Sequence, residues 1–471
     1  MKRSIIKDYF LNIIGILVSR VFGLIRDLLI ASTLGAGLYS DIFVLAIKMP
    51  SVFRRVFAEG AFNQSFMPNL AKVKKKGEFC FKILTTFSIV VFLICMLVTI
   101  FSSFFTSIFA LGFSEELINI SKPFVVINFW YLFLIFFVVF LTALLNYKQK
   151  FFIASMVSSI FNLCVITACL LCDKNDKTTA LYYLSYSVIV SGFLQIFILL
   201  LAIKNNPVAK AIFLYIKNFK NKPKSKNITQ GFYKNFLYAS IGGGATQISV
   251  ILDTTIASFL ASASISYMYY ANRIFLLPVS LLATALTSVI FPKILIKIKN
   301  KNEKEVLNIF KKSFEFLGFL LILATIGGMI LSEEIIKILF QRGNFNHNDT
   351  IQTALVLKAY LVGLFAVGVS KLFSLWLFAN FKQKLSSIIS IKVFVLNTFC
   401  AIVLAYFLGA YGIAYASSIG GFYLLLCYIQ EFGLKRFLSI IDLKIWALFT
   451  IFCGVYVYIL YFVKDFLNAY F

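Results

Sequence analysis

The chain is a succession of long apolar runs, most of about 20 residues or more, joined by short polar stretches. A helical run of that length spans the hydrocarbon of a bilayer, and a helix satisfies its own backbone N–H and C=O groups where there is no water to do so. The expected fold is therefore all-α and polytopic in a membrane. Of the 471 residues 61% are hydrophobic and only 14% are charged, outside the range of soluble domains. The spans read as 5–34, 39–70, 82–111, 117–146, 152–172, 179–203, 232–261, 265–296, 306–340, 350–380, 384–408, 410–434 and 442–467. The run from Tyr9 to Leu34 is long and interrupted by charge, so it reads as the first span and not as a cleavable signal peptide.

A net charge of +26 invites a nucleic-acid reading, which its distribution opposes. Lysines cluster in alternate connections, at Lys2–Lys7, Lys72–Lys82, Lys148–Lys150, Lys204–Lys234, Lys293–Lys312, Lys382–Lys384 and Lys435–Lys444. The connections between them carry acids, as at Glu115–Glu116, Asp173–Asp176 and Glu333–Glu334. This alternation is the positive-inside pattern. It places the N-terminus in the cytoplasm and, with an odd number of spans, Phe471 outside. The eight cysteines fall almost entirely in apolar runs, where they act as small hydrophobes. With His347 as the single histidine, histidine-based catalysis or zinc chemistry has little to work with. No phosphate-binding Gly-x-x-x-x-Gly-Lys-Ser/Thr sequence occurs, so any work the chain does has to be driven by an ion gradient, the membrane potential or a gradient of whatever it binds, and not by its own ATP hydrolysis.

The first two spans hold an unusual set of charges: Arg20, Arg26, Asp27, Asp41, Lys48, Arg54, Arg55 and Glu59. An ionisable group in a span costs several kcal/mol unless it faces protein or a watery cavity. Arg20 and Asp27 are two turns apart on one face, whereas Arg26 and Asp27 diverge by about 100°. Lys48, Arg55 and Glu59 share a face of the second span. Cations outnumber acids, so mutual pairing leaves net positive charge, and arginine's planar fork suits phosphate oxygens. The cavity they imply fits an anionic cargo. A cluster of Tyr267, Tyr269, Tyr270, Asn272 and Arg273 precedes Pro278 in the eighth span. Asp253, Asn397 and Ser417 are oxygen-bearing residues in the seventh, eleventh and twelfth spans, a set for sodium or proton coupling, with local packing as the alternative.

The two halves repeat. Asp27-Leu-Leu-Ile-Ala-Ser-Thr-Leu matches Asp253-Thr-Thr-Ile-Ala-Ser-Phe-Leu, and the distance from each aspartate to Pro68 or Pro292 differs by only two residues. The expected organisation is an N-terminal lobe 1–203, a cytoplasmic linker 204–231, a C-terminal lobe 232–436 and a further helix 437–471. Two six-helix lobes would be parallel repeats around a central cavity, with substrate between them.

Several pieces carry a family resemblance: Ser19-Arg20, Gly23, Arg26-Asp27, Gly35-Ala36-Gly37, Asp41, Pro50, Arg54-Arg55 and Phe57-Ala58-Glu59-Gly60-Ala61-Phe62. Tyr269-Tyr270-Ala271-Asn272-Arg273 adds a second block. In these the chain resembles the MurJ/MviN family of bacterial lipid II flippases, within the multidrug/oligosaccharidyl-lipid/polysaccharide exporter superfamily. The resemblance implies a transporter, not an enzyme, of the bacterial inner membrane. Such a protein flips lipid II, the undecaprenyl-pyrophosphate-linked peptidoglycan precursor, by alternating access for cell-wall synthesis. It implies that Arg20, Arg26, Arg54 and Arg273 are cavity arginines and Asp27, Asp41 and Glu59 cavity acids. A sodium site known in some members would fall on Asp253, Asn397 and Ser417, with Ala401 where a second acid would stand. Asn272 replaces an Asp that often precedes the arginine, and one helix follows the twelfth where members usually carry two. Expected partners are lipid II, membrane lipids and cell-wall synthesis enzymes. The alternative functions are a lipid-linked polysaccharide flippase or a small-molecule antiporter of the same superfamily; an exporter of cationic drugs would want an acidic or aromatic lining.

Overall fold

The computed structural model describes residues 2–55, 62–148, 151–218, 228–300 and 302–470. All regular structure among them is helical. The chain divides into two compact units, Met1–Thr255 and Ile256–Phe471. The first contains α1 (Lys2–Leu34), α2 (Leu38–Phe53), α3 (Asn63–Lys72), α4 (Lys76–Ile100), α5 (Ser102–Phe109), α6 (Glu115–Tyr147), α7 (Phe151–Leu171), α8 (Lys177–Ile203), α9 (Pro207–Lys217) and most of α10 (Gln230–Ser258). The second contains α11 (Ser264–Pro278), α12 (Ala285–Lys299), α13 (Glu303–Ile330), α14 (Ser332–Phe340), α15 (His347–Val362), α16 (Leu364–Ala379), α17 (Gln383–Leu408), α18 (Ala410–Phe432), α19 (Leu434–Ile440) and α20 (Leu443–Tyr470). Among the described residues nine helical stretches are long and apolar enough to cross a membrane. The chain is thus an all-α polytopic membrane protein.

Helix ends follow local chemistry. Gly35 closes α1 at φ 72°, a left-handed position that glycine takes without strain; its amide donates to the Ala31 carbonyl at 2.8 Å. Asp176 caps α8 by accepting from the Thr178 and Thr179 amides. The Thr179 hydroxyl and these amides hold its carboxyl below the usual range. The span expected at 39–70 is not one regular helix: α2 runs into a π-helical turn at Arg54–Arg55, and α3 starts at Asn63. The counterpart in the second unit behaves alike. Pro278 is followed by a π-helical turn, Val279–Thr284, before α12. Proline cannot donate to the ladder, and such wide turns restore bonding around the gap.

In a membrane, apolar side chains gain little by leaving lipid, so close packing holds helices together. In the first unit α1 lies along α7, α6 and α7 pack on α8, and α2 packs on α6. An aromatic cluster joins the start of α3 to α6 and α10: Phe62 stacks on Phe66 at 5.0 Å and meets Phe136 and Phe232 edge-on at 5.9 and 5.8 Å. Each such pair contributes about 0.5–1.5 kcal/mol beyond burial. Phe62, the last residue of the Phe-Ala-Glu-Gly-Ala-Phe block, is fully buried, so this end of the block builds the core. In the second unit α18 packs against α15, α16 and α17, and α13 receives α20. Lys311 of α13 pairs with Asp442, before α20, at 3.0 Å, and Lys464 of α20 lies 3.6 Å from Glu334.

The lysine-rich stretch 204–234, expected as a loop, contains α9, an eleven-residue helix. Asn206 caps it through the Val208 amide and Pro207 stands in its first turn, a favoured start.

Candidate functional site

The first unit gathers its polar groups where α1, α7, α2 and α10 carry them. Arg26 and Asp27 are neighbours on α1, and the side chains do not diverge as the helical angle alone implies. The guanidinium is long enough to turn back: Nε and Nη2 donate to Asp27 Oδ1 at 3.0 and 2.7 Å. The Arg26 side chain is 13% exposed and that of Asp27 only 3%. A pair this sheltered is costly to break, about 3–5 kcal/mol when one partner is removed.

The other end of the Arg26 fork is held by α7. Nη1 donates to Asn162 Oδ1 at 2.9 Å, and the guanidinium lies over the Phe161 ring at 5.4 Å. Asn162 is itself fixed, its Nδ2 donating to the Ser19 carbonyl at 3.0 Å, while Ser19 Oγ meets Ser158 Oγ at 2.8 Å. A carboxylate, a carboxamide and a ring thus set one arginine's orientation. Asn162 was absent from the sequence expectation, because a neutral side chain in an apolar run gives no charge signal. Its only cue is polarity three positions after the small-polar pair Ser158-Ser159.

Arg20 is exposed, as is its neighbour Val21, although Arg20 shares the nominal face of the buried Asp27. Asp41 is buried in the first turn of α2, where the helix dipole favours a carboxylate. Lys48, half-buried on α2, donates to Thr254 Oγ1 of α10 at 3.0 Å, one residue from the half-buried Asp253. Arg54 is half-buried and Arg55 exposed in their π turn. Glu59 lies outside the described residues. Phe53, just before Arg54, lines a wholly apolar cavity of about 350 Å³ with Phe87, Leu132, Phe136 and Phe236.

In the second unit Arg273 Nη2 donates to Tyr269 Oη at 2.8 Å, and its guanidinium stacks 4.5 Å from the centre of the same ring. The i, i+4 spacing on α11 makes both contacts possible at once. Asn272 is half-buried beside it. Tyr267 Oη donates to Asp349 Oδ1 at 3.3 Å, and Lys371 of α16 donates to Thr284 Oγ1, in the π turn, at 2.8 Å. Lys371 and Asp349 also escaped the sequence expectation. Lys371 stands alone in an apolar run, a signal that was available. Asp349 sits at a helix start and reads as a cap, which it is, bonding the Asn346 amide at 3.0 Å.

Of the residues named for an ion, Asn397 is buried on α17 and Ser417 half-buried on α18. The next residue, Ser418, is the one turned fully inward, donating to the Ala359 carbonyl at 2.6 Å. Among the described residues no three His, Cys, Asp or Glu side chains converge as a metal site requires.

Comparison with known proteins gives one consistent result. The family model described as "Lipid II flippase MurJ" matches residues 30–471. A "Probable lipid II flippase MurJ" of Helicobacter pylori is 42% identical over 428 residues, covering 89% of this chain and 93% of the relative. Another so described, from Aquifex aeolicus, is 32% identical over 76% of this chain and 69% of its own length. A solved structure titled "Lipid II flippase MurJ, inward closed conformation" superposes with a TM-score of 0.77 at 25% identity, covering 97% of each chain. An inward-facing multidrug transporter of the MATE family, 14% identical with a TM-score of 0.66 over 90% of this chain and 94% of its own, shares the fold.

Proposed function

The chain belongs to the lipid II flippase MurJ family, and from that premise we propose that it flips lipid II from the inner to the outer leaflet of the bacterial cytoplasmic membrane by alternating access. The observation that carries the reading beyond kinship is the Arg26 site: a cation built into a spanning helix and held on two sides, by Asp27 and by Asn162. So elaborate a mounting fits a group that must meet a ligand in one orientation. The pyrophosphate of the cargo is that ligand. Arg20, Arg26, Arg54 and Arg55 of the first unit and Arg273 of the second supply its positive charge, and Asn272 a neutral donor. Asp27, Asp41 and Glu59 serve as partners for the arginines when no cargo is bound. The apolar cavity lined by Phe53, one residue before Arg54 in the chain, offers a place for hydrocarbon, as an amphiphilic anion requires. The chain acts as a transporter without chemical turnover of its cargo.

The finer points rest on sequence pattern. The lysine-rich connections face the cytoplasm, with the N-terminus on that side. The two halves act as parallel repeats, a reading supported by π turns after Phe53 and after Pro278 at matching places. Sodium or protons couple transport through Asp253, Asn397 and Ser417. Membrane lipids and the cell-wall enzymes that consume flipped precursor are the further partners.

The test is complementation of a flippase-depleted bacterium, scored by lipid II reaching the outer leaflet. Rescue by the wild-type chain, lost in Arg273→Ala at normal protein level and in Arg26→Ala after normalising to the protein that reaches the membrane, is expected. Rescue by both variants would remove the arginines from the mechanism.

A further inference from the structure

Away from every residue assigned to the cargo, α9 lies across the beginning of α4. Gly77 permits this: it is buried, and a methyl group there would collide with the Ala211 carbonyl oxygen of α9. The docked face of α9 is Val208, Ile212 and Tyr215, all buried, and the Tyr215 ring sits 5.4 Å from that of Phe81. Beside the contact opens a cleft of about 460 Å³, lined by Lys74, Lys75, Lys76 and Glu78 on one side and Leu214 and Tyr215 on the other.

The charges of the cleft are unequal. Glu78 is buried and already paired with Lys82 at 2.8 Å. Lys76 is anchored, donating to Tyr147 Oη at 2.7 Å and lying over that ring at 5.0 Å. Lys74 and Lys75 are exposed at the mouth. The cleft is therefore cationic on balance. The rest of α9 is not the surface of a helix in water: Phe213, Leu214 and Ile216 are 68%, 54% and 48% exposed, with Lys210 and Lys217 exposed on the same helix. A short helix with a large apolar surface and flanking lysines lies in the membrane–water interface.

We infer that this cleft is a binding site for an anionic phospholipid, its phosphate taken by Lys74, Lys75 and Lys76 and its acyl chains resting on Leu214, which lines the cleft, and on Phe213. Charge complementarity selects the headgroup, since basic pockets at the inner membrane face recruit anionic lipids. The adjoining apolar surface selects a lipid over free phosphate, which has no use for it. The bound lipid fastens α9 to α4.

The experiment uses the full-length protein in mixed micelles of phosphatidylglycerol and phosphatidylcholine, with retained lipid counted by native mass spectrometry. This readout needs no lipid II, so it stands whether or not the cargo assignment does. Phosphatidylglycerol is expected to be retained in preference. The preference should fall about fivefold for each lysine removed in Lys74→Gln and in the Lys74→Gln/Lys75→Gln double variant. Phe213→Ser should weaken retention of either lipid while leaving the preference. Equal retention of the two lipids by the wild type, or an unchanged preference in the double variant, would overturn the site. Displacement of phosphatidylglycerol by inorganic phosphate at the same concentration would make it a site for free anions and overturn the lipid.

Discussion

Arg26 in the first unit and Arg273 in the second are both arginines of spanning helices, but they are mounted differently. Arg26 donates to a carboxylate and a carboxamide and is nearly enclosed. Arg273 donates to a phenol and stacks on the same ring, and Lys371, on another helix of that unit, leans on a threonine hydroxyl. The carboxylate contact offsets charge; the hydroxyl contacts orient it without offsetting it. The first unit thus uses its cation for structure and binding together, whereas the hydroxyl contacts in the second unit orient a cation through neutral groups.

The comparison breaks most visibly at the partners of the two arginines. Asp27→Ala should cost about 3–5 kcal/mol by stranding Arg26, read as loss of folded protein from the membrane. Arg273→Ala should leave protein level and thermal stability near wild type yet abolish lipid II flipping. Equal losses of protein in both variants would erase the distinction. Asn162→Ala comes next: a hydrogen bond to a charged group is worth about 1.5–3 kcal/mol, so flipping should fall tenfold or more with Asp27 still in place. Thr284→Val removes a neutral acceptor from Lys371, worth about 0.5–1.5 kcal/mol, and should slow flipping only a few-fold. The smallest effect belongs to Asp176, the cap of α8. Its carboxyl is held below the usual range by the Thr179 hydroxyl and the capping amides. Its contribution is full above the ordinary carboxylate range and fades as pH falls through the lowered value. Asp176→Ala should therefore lower the melting temperature slightly at neutral pH and remove that small acid-side loss.

Much of the architecture was legible because a bilayer imposes length. Runs such as 117–146 and 384–408 are apolar throughout and coincide with α6 and α17 to within a few residues. The interruptions were harder to read. The span 265–296 was read straight through Pro278, and that the ladder widens into a π turn after it depends on packing. The helix α9 was hidden because Pro207 and the surrounding lysines and asparagines read as loop, although Asn206-Pro207 is a start signal and its exposed hydrophobes meet lipid. At the site, charge made Arg26, Asp27 and Arg273 conspicuous, whereas Asn162 acquires meaning only when α7 is laid along α1. The Arg26–Asp27 pair shows the limit of helical-wheel angles: a side chain as long as arginine's reaches across the 100° that separates adjacent positions.

The central claim is that fixed arginines recognise the pyrophosphate of a lipid-linked precursor. The most direct measurement is leaflet exchange of labelled lipid II in proteoliposomes containing the purified chain, with undecaprenol lacking its phosphates as competitor. Exchange that is abolished in Arg273→Ala and untouched by undecaprenol is predicted; exchange that persists in the variant, or that undecaprenol inhibits as well as undecaprenyl pyrophosphate does, would contradict it.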